Sequence, residues 1–388
     1  MRLLMISHKE TWESPGSPTG YATTGGFPFQ VEAISELFNE TFLFVLLRVS
    51  PPPSGLRPLA GRKLSLRALP EPSGVDFRRK LALLIWLPRY LPSLWRAIRQ
   101  FDAVHVPVPG DIGLIGILLA LFQRKPLFVR HCGTWAKPQS LFDRFLFWLL
   151  ERIAGGRNVV LATGGGTLPP SSRNPNIHWI FSTSLKKAEL ESMPAAKPWR
   201  PGEPPRLVTV SRLSEEKNVQ SILLSLPALQ SRHPGLSLSI LGDGPARAGL
   251  QELARELGVS DWVVFHGNCT HDEVLRQLSA SHLFVFPTRV REGFPKAVLE
   301  ALACGLPVVA SDVSVIPALV GECGKTLASP EPENIVKAVL ELLEDHARLP
   351  RLGLSARQKA SAYTLEAWQS EIARHLRLAW KDIPFERP

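Results

Sequence analysis

Two glutamates eight residues apart bracket the run Glu292-Gly293-Phe294-Pro295-Lys296-Ala297-Val298-Leu299-Glu300. Pro295 fits just inside a helix start, where its missing N–H costs nothing, so the run reads as a loop entering a helix. Glu292 then precedes the helix and Glu300 lies more than one turn inside it. With Gly293 in the loop, the backbone N–H groups of Phe294, Lys296 and Ala297 would face one space, and a helix N-terminus favours a bound anion such as a phosphate. Carboxylates nearby can accept hydrogen bonds from sugar hydroxyls. Taken alone, two acids at this spacing fit an exposed helix with solvated carboxylates at least as well.

Other segments carry compatible chemistry. Leu207-Val208-Thr209-Val210-Ser211-Arg212-Leu213 is a strand running into a loop, followed by Glu215-Glu216-Lys217-Asn218 and a helix. It offers two cations, Arg212 and Lys217, at the carboxyl end of a strand, where open α/β sheets bind ligands. Gly242-Asp243-Gly244-Pro245 ends another strand, and its glycines permit close backbone approach. Phe265-His266-Gly267 ends a third, and Cys304-Gly305-Leu306-Pro307-Val308-Val309-Ala310-Ser311 is a turn into a buried strand. In the first half, Thr23-Thr24-Gly25-Gly26-Phe27 leads a loop into a helix. His131 follows the strand 127–130 and should sit at its carboxyl end, where it can hydrogen-bond a hydroxyl or assist proton transfer. An ordinary flexible loop and a structural histidine are the plain alternatives for these last two.

The elements that must position these residues follow from periodicity. Short β-branched runs at 3–6, 42–47, 103–108, 127–130 and 159–162, and again at 207–210, 236–241, 263–266, 283–286 and 308–310, predict strands. Helices are expected at 29–38, 219–230, 246–257, 270–280, 296–303 and 332–345. This alternation is the α/β pattern of parallel sheets. A chain of 388 residues exceeds one core, so two domains are expected. Residues 193–205, with Pro194, Pro198, Pro201, Pro204 and Pro205, cannot be strand or helix interior and form the expected linker. That leaves 1–192 and 206–363 as domains, and 364–388 as a helical segment crossing back to the N-terminal one.

The order of the segments between residues 207 and 311 resembles the retaining glycosyltransferases of family 4, the glycosyl transferases group 1. These enzymes carry an S-R-L…EK-N loop, a G-x-G-P loop, an F-x-G segment, an E-G-F-P…E motif and a G-x-P-V-V-A-S strand, and all five stand here in that order. The resemblance implies a GT-B fold, two facing Rossmann-like domains around a central cleft, with a nucleotide diphosphate sugar on the C-terminal side. It implies that Arg212 and Lys217 neutralise the donor diphosphate, that Glu300 binds the ribose hydroxyls and that Glu292 contacts the transferred sugar. It also implies that Gly25 and Gly26 approach the donor phosphates from the other domain, that His131 lies beside the reacting sugar, and that anomeric configuration is retained.

Composition bounds the rest. No two aspartates stand two apart, so the D-x-D metal site of the other main glycosyltransferase fold is missing and neither an obligatory metal nor a cofactor is expected. Four scattered cysteines encode no disulfide framework and read as small buried residues. The apolar start is too short for a signal peptide, and the longest apolar run, 112–122, has eleven residues against the roughly 20 a bilayer needs. A cytoplasmic protein is expected. Residues 1–200 hold 25 Lys and Arg against 13 Asp and Glu, whereas residues 201–388 hold 20 against 22. Basic and aromatic residues mixed along 77–100 and 141–153 suit the surface of an anionic bilayer, with core aromatics and solvated arginines as the plain alternative. The expected partners are a nucleotide-sugar donor, a polysaccharide, lipid-linked or other hydroxyl acceptor, and peripheral contact with the inner face of a membrane. A sugar-nucleotide epimerase of the same fold would bind the donor but need no acceptor. Nucleic-acid binding would leave the donor-site motifs unexplained.

Overall fold

Apolar runs without alternation form strands buried on both faces, the condition of a parallel sheet covered by helices. A computed structural model shows two such sheets; the described residues are 1–53, 55–74, 76–135, 138, 140–166 and 168–381, with the side chains of 76 and 77 excepted. The last seven positions of the expected segment 364–388 and the side chain at the start of the 77–100 stretch therefore lie outside them. The chain divides into two units, Met1–Ser184 joined by the chain from Leu365 onward, and Leu185–Thr364.

The first unit runs β1 (Arg2–Glu13), β2 (Tyr21–Thr23), α1 (Phe27–Ser35), β3 (Glu40–Leu47), β4 (Arg57–Pro58), β5 (Leu64–Pro70) and α2 (Asp76–Gln100). It continues with β6 (Ala103–Val108), α3 (Asp111–Phe122), β7 (Leu127–His131), α4 (Leu141–Ile153), β8 (Asn158–Thr163) and β9 (Ile177–Ile180). Its parallel strands lie in the order β5-β3-β1-β6-β7-β8-β9, and short antiparallel β2 and β4 extend from the far end of β1. Leu94, Ile117 and Leu146 bring α2, α3 and α4 into the core on one sheet face. Val31 and Ile34 bring α1 onto the other, where Trp368, Ile372 and Leu376 also pack.

The second unit begins with α5 (Lys187–Ser192), β10 (Arg206–Val210), α6 (Val219–Arg232), β11 (Ser237–Leu241), α7 (Arg247–Glu256), β12 (Val263–Gly267) and α8 (His271–Ser279). It ends with β13 (Leu283–Phe286), α9 (Lys296–Ala303), β14 (Val308–Ser311), α10 (Ile316–Val320), β15 (Gly324–Leu327), α11 (Pro332–Glu344) and α12 (Leu349–Ser361). All its strands are parallel, in the order β12-β11-β10-β13-β14-β15. After it, α13 (Leu365–Ala379) returns to the first unit.

In both sheets the strand order runs outward from the first strand and then reverses, between β1 and β6 and between β10 and β13. At such a reversal the connections leave in opposite directions, and a crevice opens at the carboxyl ends of the two strands.

Several expectations need correction. β5, β9 and β15 were not anticipated because none is an apolar run: β5 alternates at the sheet edge, β9 is Ile-His-Trp-Ile with two buried residues, and β15 is Gly-Lys-Thr-Leu with one. Residues 193–205 are not a free linker. Trp199 is buried in the second unit's core, Ala196 N–H donates to the Cys304 carbonyl at 2.7 Å, and Arg357 donates to the Leu190 and Met193 carbonyls. The chain leaves the first unit upstream of the expected limit at 192, after Ser184, and α5 goes with the second. Proline excludes regular structure here, but it leaves the intervening apolar side chains able to dock. Cys132 is exposed and Cys269 half-buried, so only Cys304 and Cys323 are the buried residues expected of all four.

Candidate functional site

The crevice at the β10/β13 reversal is where the C-terminal motif residues collect. The Ser211–Asn218 segment leaves the end of β10, and a loop from Pro287 to Pro295 leaves the end of β13. They are laced together. Arg289 N–H donates to the Glu216 carbonyl at 2.9 Å, and the Thr288 hydroxyl reaches the same carbonyl at 3.4 Å. The Ser314 hydroxyl holds the Glu292 carbonyl at 2.6 Å.

Asn218 is the joint of this assembly. Its left-handed backbone, φ 55°, turns the chain into α6, and its buried amide donates to the carbonyls of Pro287 and Pro330 at 3.2 and 2.9 Å. Asparagine tolerates that conformation better than most residues. Its oxygen accepts from the Ser221 hydroxyl, so one side chain connects β13, the approach to α11 and the start of α6.

This scaffold brings Lys217 and Glu292 into an ion pair, with the two side chains only 18% and 17% exposed. The Thr288 hydroxyl adds a 3.5 Å contact to the same carboxylate oxygen, and the Phe286 ring lies 6.0 Å from the ammonium. Sequence reasoning gave the two residues separate roles, one toward phosphate and one toward sugar. Arg212 is exposed, and its guanidinium has no hydrogen-bond or ion-pair partner among the described residues.

Gly242 and Gly244 belong to the same crevice, and the close backbone approach they permit is to the neighbouring loop. A Cβ on Gly242 would lie 1.9 Å from the Ser211 carbonyl oxygen, and one on Gly244 would lie 2.3 Å from that of Leu213. Leu213 N–H donates to the Asp243 carbonyl at 2.9 Å and Ala246 N–H to that of Leu213 at 3.0 Å. These glycines let the 242–245 loop press against the Arg212 loop and so set its position. Asp243 is engaged by Gly244 N–H and Arg247, which hold its carboxyl below the usual range.

Pro295 is the residue before α9 rather than inside it, with φ −79° and ψ 100°, so the helix starts at Lys296 followed by Ala297. A proline ring is at home in that extended conformation. Phe294, after Gly293, turns its ring onto Tyr363 at 5.4 Å, so its side chain supports the loop. Glu300 projects from the second turn with its side chain 20% exposed. Burial pushes its pKa up; His271 and Lys296 oppose that shift, and Glu189 adds to it.

In the first unit Gly25 needs its glycine for backbone reasons, φ 79° with nothing near a Cβ, and Gly26 directly precedes α1. His131 ends β7 and is 4% exposed, edge-on to Trp135 and Phe147. Its Nδ1–H donates to the Gly133 carbonyl at 3.1 Å, which makes Nε2 the acceptor. Burial lowers its pKa, and the Gly133 bond and Asp143 only partly counter this.

Sequence reasoning missed four contributors: Thr288, Ser314, Glu189 and His271. Only His271 had a local cue, since Thr270 and Glu273 form a helix-capping box around it. Asn218 stood within a quoted motif but received no role.

Residues 195–359 match the family model described as Glycosyl transferases group 1. The GDP-mannose-dependent alpha-(1-6)-phosphatidylinositol monomannoside mannosyltransferase of Mycolicibacterium smegmatis is 34% identical over 176 residues, 43% of this chain. That match spans 45% of the relative's length, so the chain covers about half of it. The alpha-D-kanosaminyltransferase of Streptomyces kanamyceticus is 28% identical over 84% of this chain and 93% of its own. Among solved structures, Anabaena Alr3699/HepE in complex with UDP superposes with a TM-score of 0.71 at 16% identity, covering 97% of this chain and 100% of that one. This likeness identifies the fold as GT-B, with two Rossmann-like units.

Proposed function

We propose, from the match of residues 195–359 to the family of glycosyl transferases group 1, that the protein is a glycosyltransferase whose second unit holds a nucleotide diphosphate sugar. The observation that carries this reading is the Lys217–Glu292 pair at the strand-order reversal, with the exposed Arg212 guanidinium on the same loop. Transfer breaks the bond between the anomeric carbon and the phosphate oxygen, and the electron pair stays with the departing diphosphate. Fixed cations at that oxygen stabilise the developing charge without reorganising. Glu292, paired with Lys217, would take sugar hydroxyls with its remaining acceptor capacity while the cation beside it faces the phosphate. The acceptor hydroxyl attacks the same carbon and its proton goes to the diphosphate. Attack on the face the diphosphate leaves gives retention, which the five-motif resemblance supports.

A polysaccharide or lipid-linked acceptor completes the proposal. No helix among the described residues is long and apolar enough to cross a membrane. Exposed Leu84 and Ile85 on α2, and Leu141, Phe145 and Trp148 on α4, stand beside exposed Arg89 and Arg144. This mixture supports contact with an anionic bilayer. The mannosyltransferase relative is named for a phosphatidylinositol mannoside acceptor, which agrees with a lipid-linked one.

Calorimetric titration of UDP- and GDP-linked sugars into the wild type and the Arg212→Ala/Lys217→Ala variant tests the donor site. Saturable binding to one donor series, lost in a variant with unchanged circular dichroism, is expected. Wild-type protein that binds no sugar nucleotide would sink the transferase reading.

A further inference from the structure

We propose that His271, anchored by Glu189, is the positioning residue that orients the Glu300 carboxylate toward the ribose hydroxyls of a nucleoside diphosphate. The inference rests on the donor-site reading above and adds two residues to it.

Three helices converge here. His271 is the first residue of α8, and its place is fixed by the Thr270 cap, whose hydroxyl accepts from Glu273 N–H while the Glu273 carboxylate takes Thr270 N–H at 2.8 Å. Its Nε2 lies 2.5 Å from Glu189 Oε1, and its Nδ1 faces Glu300 Oε1 at 3.6 Å. Glu189 is held in turn, because its other oxygen takes the Lys186 N–H at 3.4 Å across the first turn of α5. The imidazole therefore has one edge on each carboxylate, and the anchored carboxylate sets the ring plane that the other meets. The Glu300 carboxylate takes no hydrogen bond from another side chain among the described residues.

Ribose presents two neighbouring hydroxyl donors. An ionised carboxylate accepts from both, and bonds to a charged acceptor are roughly twice as strong as neutral ones. A protonated Glu300 would lose acceptor capacity, and burial favours that form. The groups facing it are His271 from α8, Lys296 one turn earlier on α9 and Glu189 from α5; the first two favour the ionised form and the third opposes it. From α12, Arg357 is engaged by the Leu190 and Met193 carbonyls, and the Cys304 thiol, pushed up to about 12 by burial, stays protonated. Of the two groups that offset the burial of Glu300, His271 is the one held in place by a second carboxylate.

The test titrates UDP, GDP and their 2′-deoxy counterparts into the full chain by calorimetry, using wild type, His271→Gln, Glu300→Gln and the double variant. His271→Gln is expected to weaken the preferred ribonucleotide about tenfold and its 2′-deoxy counterpart, which keeps one of the two hydroxyls, by a clearly smaller factor. In the Glu300→Gln background the same substitution should add nothing. Removing His271 takes away a group that holds the Glu300 pKa down, so the acid limb of ribonucleotide affinity should move to higher pH. Glu189→Gln, with the ring retained but unanchored, should give a smaller loss of the same kind and serves if His271→Gln fails to fold. Equal losses for ribose and deoxyribose, or a penalty that persists without Glu300, would overturn the positioning role and leave the donor site standing. Wild-type protein that binds none of the four nucleotides would overturn both.

Discussion

His105 shows how one buried side chain ties stability to pH. It is fully buried on β6, its Nδ1–H donates to the Phe128 carbonyl at 2.8 Å, and its ring stacks on Phe128 at 4.1 Å. Burial, reinforced by the Arg130 charge, lowers its pKa from 6.5 to about 3. The folded chain keeps it neutral where the unfolded chain takes up a proton, so its contribution is complete above pH 6.5 and is lost as pH falls toward 3. His282 and His375, both lowered to about 4, act in the same direction. Urea unfolding across this window should show stability falling with acidification, and His105→Asn should flatten the slope by up to about 1.4 kcal/mol per pH unit. Identical slopes in both proteins would show that His105 does not carry the effect. The candidate residues around the β10/β13 crevice were legible at this scale because each lies in a contiguous motif. Glu189 was not, since nothing near it in sequence signals a partner on α8.

Among the elements, α13 shows best how a remote segment becomes part of a unit. Trp368 and Trp380 are fully buried against the first sheet, and the Trp380 indole N–H donates to the Arg157 carbonyl at 2.9 Å. The Arg130 guanidinium lies 4.9 Å from the Trp368 ring and donates to Gln30 Oε1 at 2.8 Å. Gln30 on α1 donates in turn to Ser182 and Thr183, where the chain leaves the first unit. Trp368→Ala removes both the aromatic volume and the surface facing that cation. It should destabilise the protein by about 3–5 kcal/mol, read by denaturant unfolding of the full chain. A loss under about 1 kcal/mol would mean that α13 only decorates the surface. Strands with unbroken apolar runs were legible at this scale; β5, β9 and β15 were not, because an edge strand shares its burial with solvent and loses the pattern.

For the whole molecule the unequal charge is the feature with consequences, since the basic excess lies within residues 1–200. If α2 and α4 meet a bilayer, sedimentation with vesicles containing phosphatidylglycerol should pull the protein down at low salt and release it at high salt, as screened charges require. Phe145→Ser/Trp148→Ser should cut the bound fraction severalfold without changing nucleotide affinity. Equal pelleting with neutral vesicles, or no effect of the double variant, would remove the membrane from the proposal. The alternation of the central strands with the helices 219–230, 246–257, 270–280, 296–303 and 332–345, and the loops bearing Arg212, Lys217, Glu292 and Glu300, were legible in sequence alone, because hydrophobic period, turn residues and helix starts act over a few neighbours. Tertiary structure decided that Lys217 meets Glu292 across 75 positions, that His271 stands between Glu189 and Glu300, that residues 193–205 dock on the second unit, and that α13 completes the first. Those contacts depend on strand order and on which sheet face each helix covers, and no local pattern of residues encodes either.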